Sequence, residues 1–415
     1  MTITNKTKLN CALLKHKVDL TRIQVVGFED NNEYYLWSHG DEGFAGFGNY
    51  RKLVLRGPKR FDDARKFTSI LFAELDFAKE ENFPNFSPIV FASFSFDALE
   101  DSLLVIPEIT IGQRNGVSWI TWIGENAKPV YFETMFEQEN LDIVWSISDE
   151  KNWKTKVSQV IDKIDNQNLN KVVLARFEEG KTTKKISVRA VINQLAKKQE
   201  PKWIYASAGL VGATPELLIR KSKHSVTSRV LAGTMSRADN DKRDLNLANL
   251  LSRSSKDLKE HEYAVQSVAG SLTPLCSSIN IPKSPFVLHL SNVIHLATDV
   301  TAVLSDNSSP ADIFDLVSRL HPSAAVCGTP TEVAQRTIDE IEGISRGRYA
   351  GPIGWIDANG DGELGIALRC GQISSDAKSI RIYAGCGIVA GSDPEREYAE
   401  SQAKLLPMRS ALDSH

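Results

Sequence analysis

The feature that most constrains the fold is the alternation of β-type and helical segments through the second half of this 415-residue chain. The runs KVVLAR, WIYASAG, PELLIRK and HSVTSRVLAG have the length and apolar content of strands. No repeat, low-complexity tract or Pro-rich linker interrupts this half. The sequence therefore predicts an α+β fold with large antiparallel or mixed β-sheets and outer helices.

Helices are predicted at 152–166, from Arg243 to about Leu272, near 310–319 and 330–342, and from Pro394 onward. The segment DANGDGE at 357–363 has the first residues of a calcium loop, but its twelfth position is Leu368 instead of Glu. A tight hairpin turn is predicted there. Residues 1 to about 140 contain short β-type runs, such as VVGFED, and few candidate chemical groups.

Composition excludes several classes of protein. The formal net charge is −3, and no cluster of basic and aromatic residues indicates a nucleic-acid surface. The five cysteines never form a CxxC pair, so they are predicted to be thiols in a reducing compartment. The N-terminal residues lack the continuous apolar stretch of a signal peptide, and no apolar segment reaches membrane length, so we expect a cytoplasmic protein with no membrane or nucleic-acid partner.

The predicted final helix carries the sharpest local signal. Glu397, Glu400 and Lys404 share one face, because they are three and four residues apart. Two carboxylates held about 5–6 Å apart repel each other unless a cation relieves them, so a hard-metal site is one interpretation. A solvated acidic face with a salt bridge to Lys404 is the other, and the spacing alone leaves both open.

A second acidic group lies in the predicted helix before residue 272. Glu260 and Glu262 point to different faces, and Glu260 aligns with Ala264. Alone, this pattern is typical of a charged helix surface, and His261 is more often a packing residue than a ligand.

Two further residues begin apolar β-type runs. Glu216 follows Pro215 in GATPELLIR, where burial would raise its pKa and suit it to act as a general acid. Lys171 opens KVVLAR, where lost hydration would favour a neutral amine that acts as a base. An edge-strand acid and a solubilising lysine are the ordinary alternatives, and both remain open on local pattern.

Taken together, these segments resemble the chorismate-binding enzyme family, whose members include isochorismate synthases, salicylate synthases, anthranilate synthase large chains and aminodeoxychorismate synthases. The ordered matches are KVVLAR at 171–176, GATPELLIR at 212–220, LAGT at 231–234, KDLKEHE at 256–262, HLATDV at 295–300, LHPSAAVCGTP at 320–330, then RGRYAGPIGW, ALRCGQI, YAGCGIV and PEREYAESQAKL. They span about residues 145–408. The resemblance implies sheets packed face to face in one domain over 1–415, with a variable part at about 1–140 and a catalytic core at about 145–410.

The resemblance also implies roles for the matching positions. Glu260 and Glu400 would hold Mg²⁺, with Glu397 as a direct or water-bridged contributor, and the metal would neutralise the substrate's ring carboxylate. Glu216 would be the general acid that protonates the departing C4 hydroxyl. The positions expected to bind the substrate are Gly233, Thr234, His295, Ala325, Arg369, Gly385, Gly387 and Lys404.

Lys171 indicates the branch of the family that this chain resembles. Members that add ammonia carry Gln at this position, whereas members that add water carry Lys as the base that activates it. The aminodeoxychorismate branch has a nucleophilic Lys within its counterpart of LAGT, where this chain has Ala232. The resemblance therefore implies an isochorismate synthase, an isomerase that converts chorismate to isochorismate by adding water at C2 and losing the C4 hydroxyl.

Two alternatives remain at the sequence level. A salicylate synthase shares the lysine but then eliminates pyruvate, although HLATDV and HPSAAVCG are more similar to isochorismate synthases. A non-catalytic chorismate-binding protein is the other, although each candidate catalytic residue is chemically competent. We expect chorismate as the small-molecule partner, a monomer, and no glutaminase subunit because Lys171 replaces Gln. The product could serve menaquinone, siderophore or salicylate-type metabolism.

Overall fold

The structure is a computed structural model that describes residues 6–28, 33–77, 87–146, 149–166, 168–197, 200, 202–237, 240–290, 292–306 and 311–413. Within these residues, the α-helices are Arg60–Glu74 (α1), Glu150–Asn166 (α2), Val188–Ala196 (α3), Asp241–Leu251 (α4), Ser255–Leu272 (α5), Ile313–Leu320 (α6), Thr331–Ile341 (α7) and Pro394–Leu412 (α8). A 3₁₀ turn, Thr273–Leu275, follows α5.

The strands of the first half are Thr7–Leu13 (β1), Ile23–Val25 (β2), Tyr34–His39 (β3), Glu42–Phe47 (β4), Arg51–Leu55 (β5), Leu75–Asp76 (β6), Ile89–Ser93 (β7), Ser102–Ile106 (β8), Ile109–Arg114 (β9), Val117–Ile123 (β10), Tyr131–Glu133 (β11) and Val144–Trp145 (β12). Those of the second half are Lys171–Lys181 (β13), Trp203–Ser207 (β14), Leu210–Thr214 (β15), Leu217–Ser222 (β16), Ser225–Ser236 (β17), Cys276–Asn280 (β18), Phe286–His289 (β19), Val293–Leu304 (β20), Gly328–Thr329 (β21), Pro352–Asp357 (β22), Gly362–Ile366 (β23), Cys370–Ile373 (β24) and Ser379–Val389 (β25).

Two large sheets dominate the described residues. The larger has the strand order β12-β13-β25-β24-β15-β14-β3-β4-β9-β10-β1-β6, with β21 added beside β13. The second has the order β18-β20-β17-β16-β23-β22-β7-β8-β5, with β19 beside β20. The pairs are antiparallel except for β1 with β6. Each sheet thus combines strands from both halves of the chain.

The larger sheet is buried on both faces because its strands alternate between two apolar cores. In β3, Tyr35 and Trp37 enter the core that also contains Phe91 of the second sheet. Their neighbours Tyr34 and Leu36 enter the core on the other side, where α3 and α8 cover the larger sheet. Successive strand residues point to opposite faces, so one apolar strand serves both layers. The α+β class, with large sheets and helices outside, is confirmed.

The structure corrects several predicted elements. The helix predicted from Arg243 to about Leu272 is two helices, α4 and α5, because the chain breaks between them and Ser254 caps α5 through Asp257 N. Two helices, α1 and α3, lie where none was predicted. In VVGFED only the first residue, Val25, belongs to a strand, β2. The last two residues of VVGFED lie outside the described residues, and so does Pro310 of the predicted 310–319 helix.

Other predictions hold. Helix α2 covers the predicted 152–166, α6 and α7 occupy the two later helical segments, and α8 begins at Pro394 after the capping residue Asp393. The DANGDGE segment is a tight turn between β22 and β23, closed by the bond from Gly360 N to Asp357 O. No helix that the structure describes is both long and apolar enough to cross a bilayer.

Candidate active site

One pocket brings together most of the predicted site residues. It is walled by β13 and β25 of the larger sheet, β17 and β20 of the second sheet, helices α5 and α8, and the connecting loops. Nine of the residues that we predicted line it: Glu216, Thr234, Glu260, His295, Ala325, Arg369, Gly385, Gly387 and Lys404. Lys171, Gly233, Glu397 and Glu400 lie in the elements that form its walls.

Lys171 is fully buried at the first residue of β13. Its backbone pairs with β25 on one side and β21 on the other, so the strand cannot move without breaking both ladders. The Nζ atom lies 3.3 Å from Glu260 Oε1 and has no hydrogen-bond partner among the described residues. A buried amine that makes no hydrogen bond can still bind a further polar partner.

Glu216 lies in the link between β15 and β16 and is 5% exposed. Its backbone N–H donates to Thr214 Oγ1 at 3.2 Å, which fixes the turn after Pro215. Burial raises the pKa of Glu216 to about 8, and the charges of Lys171, Arg369 and Lys404 only partly offset this effect. The carboxyl is therefore protonated at neutral pH, as a general acid requires.

His295 and Thr234 face each other across β17 and β20. Thr234 Oγ1 lies 3.0 Å from His295 Nδ1, and Arg369 Nη2 donates to His295 Nε2 at 2.9 Å. Burial, with the charges of Arg369 and Lys404, holds the pKa of His295 well below its usual value. His295 is therefore neutral, and because Nε2 accepts from Arg369 its proton belongs on Nδ1.

Two cations reach the pocket from different elements. Arg369 lies between β23 and β24 with φ 50°, a left-handed conformation that is unusual for a side-chain-bearing residue and directs its guanidinium to His295. Lys404 extends from α8, donates to Gly385 O at 2.8 Å and pairs with Glu400 at 2.5 Å. Burial acts to lower the pKa of Lys404, but the charge of Glu400, its hydrogen bond to Lys404 and the nearby Cys386 together outweigh burial and raise it. Both groups are suited to bind carboxylates.

Three carboxylates converge at the pocket's edge, and each is paired with a different lysine. Glu260 pairs with Lys171, Glu400 with Lys404, and Glu397 with Lys256 at 2.8 Å. Burial raises the pKa of Glu397 to about 7, and the charges of Glu400 and Glu260 add to this shift. The local signal on α8 therefore marks a buried carboxylate cluster and not a solvated face.

This cluster has the chemistry of a hard-cation site. Ligand atoms of Cys386, Glu397 and Glu400 lie within 4.8 Å of one another, whereas Glu260, which pairs with Lys171, is not part of this close group. Burial raises the pKa of the Cys386 thiol well above its usual value, and its Sγ–H donates to Glu397 O, so it remains a neutral thiol. The remaining donors are carboxylate oxygens, which Mg²⁺ and Ca²⁺ prefer. Glu262 is outside this cluster, because it is exposed and pairs with Lys259.

Two glycines shape the pocket by what they leave out. Gly233 lies at a bulge in β17 with φ 77°, and a Cβ there would lie 3.1 Å from the backbone O of Asp257 on α5. Gly387 is in β25, where a Cβ would overlap Glu260 Oε1 and lie 3.0 Å from Lys171 Cε. Both positions let α5 approach the sheets closely enough to place Glu260 beside Lys171.

The structure adds residues to which the sequence assigned no role. Lys256 and Asp257 lie in KDLKEHE, the segment that drew attention through Glu260. Tyr349 lines the pocket and stacks on Tyr383 at 4.9 Å, and Arg346 also lines it while bonding to Val326 O and Val173 O. The segments that carry these residues match the family motifs, but periodicity gives no sign that the side chains face a pocket.

His261 is a packing residue, as its position favoured. It is 3% exposed, and its ring nitrogens lie 3.1 Å from Ala232 O and 2.7 Å from Thr298 Oγ1. Burial lowers its pKa to about 4, so the ring is neutral. It joins α5 to β17 and β20 behind the pocket wall.

A sequence model of the chorismate binding enzyme family matches residues 4–413. The isochorismate synthase MenF of Bacillus subtilis is 32% identical over 356 residues, which cover 78% of this chain and 74% of the relative. The isochorismate synthase DhbC of the same organism is 32% identical over 339 residues, covering 78% and 81%.

Solved structures are similar as well. The putative 2,3-dihydroxybenzoate-specific isochorismate synthase DhbC from Bacillus anthracis has a TM-score of 0.76 and 29% identity, and the alignment covers 93% of this chain and 98% of that one. The likeness extends over both sheets and is not confined to the segments around the pocket.

Proposed function

The chain belongs to the chorismate-binding enzyme family, and from that premise we propose that its pocket binds chorismate and that the protein is an isochorismate synthase. The observation that carries the choice of reaction is the fully buried Lys171 amine beside the pocket, whose Nζ has no hydrogen-bond partner among the described residues. A lysine here suits activation of water, whereas a neutral glutamine could not accept a proton.

The reaction replaces one hydroxyl by another and leaves the composition of the substrate unchanged. Lys171 takes a proton from water, whose oxygen bonds to C2 as the ring double bonds shift. The bond from C4 to its hydroxyl oxygen breaks, and Glu216 donates the proton that makes the leaving group water. This assignment agrees with a Glu216 carboxyl whose pKa of about 8 keeps it protonated at neutral pH.

The cationic and amide groups of the pocket would orient the substrate. Arg369 and Lys404 would pair with the two carboxylates, and backbone N–H groups near Gly385 and Gly387 would add hydrogen bonds. Neutral His295 would lie against the ring, because its burial and its bond from Arg369 fix its orientation.

Glu260 and Glu400 would hold a magnesium ion, with Glu397 as a further direct or water-bridged contributor. The fit of this donor set rests on the three buried or half-buried carboxylates that converge there. A bound Mg²⁺ would neutralise the ring carboxylate and so favour its burial.

We place the enzyme in the cytoplasm as a monomer without a glutaminase subunit, with one chorismate-utilising domain over 1–415. Support for a reducing compartment comes from five free cysteines. Support for one domain comes from the two sheets, which each take strands from both halves of the chain.

A product assay tests the proposal. Purified protein with chorismate and Mg²⁺ is expected to form isochorismate, measured by coupling to an added isochorismatase. Lys171→Ala is expected to lower kcat by about 10²–10⁴-fold, the usual contribution of a general base. Lys181→Ala, at the exposed end of the same strand, is the matched control and keeps wild-type activity.

Three results would contradict the proposal. Fluorescent salicylate accumulating without an added lyase would assign a salicylate synthase. Anthranilate formed only with ammonium would assign an aminating enzyme. Full activity in Lys171→Ala would remove the lysine from the mechanism.

A further inference from the structure

Lys256 is the one of the three paired lysines that has no place in the proposed chemistry. Lys171 is the proposed base, and Lys404 lines the pocket and bonds to Gly385 O. Lys256 does not line the pocket; its Nζ donates to Glu397 Oε1 at 2.8 Å from outside. Its ammonium therefore neutralises one carboxylate of the cluster without facing the substrate.

The position of Lys256 is not explained by helix stability. It is the second residue of α5, and a positive charge in a first turn is opposed by the helix dipole. The Ser254 cap and Asp257 already satisfy the start of this helix. What compensates Lys256 is Glu397, which is 2% exposed and would be costly to bury as an unpaired anion.

The Lys256 side chain can also move away from Glu397. It is 32% exposed, whereas the Glu397 side chain is 2% exposed, so the lysine can withdraw its flexible stem into solvent while the glutamate stays. A divalent ion and an ammonium that seek the same carboxylate oxygen exclude each other by charge and by space.

From this geometry we propose that Lys256 is a tethered internal cation that competes with the divalent metal for Glu397 and thereby sets metal affinity. The inference rests on the proposed function, which gives the carboxylate cluster its metal. When the ion binds, Lys256 gives up Glu397; when it leaves, Lys256 returns and prevents repulsion among the carboxylates.

Calorimetric titration of the full-length protein with Mg²⁺ alone tests this inference. Lys256→Met is expected to bind Mg²⁺ about tenfold more tightly than wild type, the effect of removing one nearby unit charge at a partly exposed site. The rise in Tm on adding Mg²⁺ is expected to grow in the same variant, because tighter binding to the folded state stabilises it more.

Two variants serve as controls. Lys259→Met removes the same charge from the same helix, but Lys259 pairs with the exposed Glu262, so its Mg²⁺ affinity is expected to equal that of wild type. Lys256→Arg keeps the charge and is expected to retain wild-type Mg²⁺ affinity, so a gain in affinity seen only in Lys256→Met comes from the lost charge and not from substitution at this position.

The failures are distinguishable. If wild type binds Mg²⁺ and Lys256→Met binds it equally or more weakly, Lys256 does not compete and the inference is overturned while the proposed function stands. If wild type itself neither binds Mg²⁺ nor needs a divalent ion for turnover, the metal part of the proposed function falls, and this inference falls with it.

Discussion

Chemically identical glutamates have different surroundings in and around this pocket. Burial raises the pKa of Glu216 to about 8, more than the charges of Lys171, Arg369 and Lys404 offset, so its carboxyl holds a proton at neutral pH. Glu260 and Glu400 each have a lysine within ion-pair distance, Lys171 at 3.3 Å and Lys404 at 2.5 Å. In the proposed function, one residue type supplies both the general acid and the metal ligands, and the surroundings of each glutamate separate the two roles.

The charge state of Glu216 predicts a pH profile. Because burial raises its pKa to about 8, the acid form persists well above the usual range and is lost as pH rises through about 8. We expect kcat/KM to fall on that basic side. Glu216→Gln is expected to lower kcat by about 10²–10⁴-fold, since an amide keeps the shape but donates no acidic proton.

Steady-state rates between pH 6 and 9.5 test this expectation. Glu262→Gln, a change at an exposed glutamate, is the control and should keep the wild-type profile. A Glu216→Gln variant with near-normal kcat would show that another group protonates the leaving hydroxyl.

Among the elements, the break between α4 and α5 determines where Glu260 of α5 lies. The sequence predicted one helix because 243–272 has continuous charged and apolar periodicity. Ser254, followed three residues later by Asp257, is a recognisable start signal that marks the break in retrospect. Starting at Ser255 lets the first turn of α5 lie against the Gly233 bulge, and Glu260 then reaches the pocket.

The contact between α5 and β25 predicts the effect of one methyl group. The backbone of Gly387 does not require glycine by its φ, but a Cβ there would overlap Glu260 Oε1 and press on Lys171. Gly387→Ala is expected to lower kcat/KM by about 100-fold, since small misplacement of reacting groups has effects of this size. Overpacking should lower the free energy of unfolding by about 1–3 kcal/mol.

Gly270→Ala is the matched glycine control, because it lies on α5 and its Cβ would meet nothing within 4 Å. It should raise the free energy of unfolding by about 0.5–1 kcal/mol and leave kcat/KM unchanged. Steady-state kinetics and urea unfolding measure both variants. Wild-type kcat/KM in Gly387→Ala would mean that the Glu260 and Lys171 geometry is not needed.

At the scale of the whole molecule, local pattern predicts elements but not their partners. Apolar runs predict β3 and β14, yet nothing in either run specifies that Trp37 pairs with Tyr205, 168 residues away along the chain. Helix α1 has buried residues at helical spacing, Phe61, Ala64, Thr68 and Leu71, a signal obscured by its many charged residues.

The site shows the same limit more sharply. Lys171, Glu260 and Lys404 lie on three separate elements, so periodicity could propose each residue but could not bring them together. Ordered family motifs grouped the three residues; Glu260 and Lys404 line the pocket, and Lys171 lies in β13, one of its wall strands. The role of Lys256 could not be predicted from local pattern, because it depends on a contact with Glu397, 141 residues away along the chain.

A buried histidine links the two halves of the chain and predicts how the whole fold responds to acid. His321, at the end of α6, is 6% exposed, and its Nε2 lies 3.3 Å from Phe96 O. Burial, together with the charge of Arg60, lowers the pKa of His321 to about 3. Its Nδ1 has no partner among the described residues, so protonation would leave a buried charge unpaired.

The lowered pKa means that stability is lost as pH falls from about 6.5 toward 3, because only the unfolded chain binds the proton in that window. At pH 5 the loss amounts to about 2 kcal/mol relative to neutral pH. His321→Asn keeps a donor for Phe96 O but cannot titrate. The variant should be less stable than wild type at pH 7.5. Because it cannot titrate, the difference between the two free energies of unfolding should narrow by about 2 kcal/mol at pH 5.

Urea unfolding of wild type and His321→Asn at both pH values measures this narrowing directly. The other buried histidines contribute equally to both proteins, so they cancel in the difference. His16→Asn, which replaces an exposed histidine, should follow the wild-type pH dependence. A stability difference between wild type and His321→Asn that stays constant between pH 7.5 and 5 would show that His321 takes up its proton within the folded protein, and that the joint between the halves tolerates the charge.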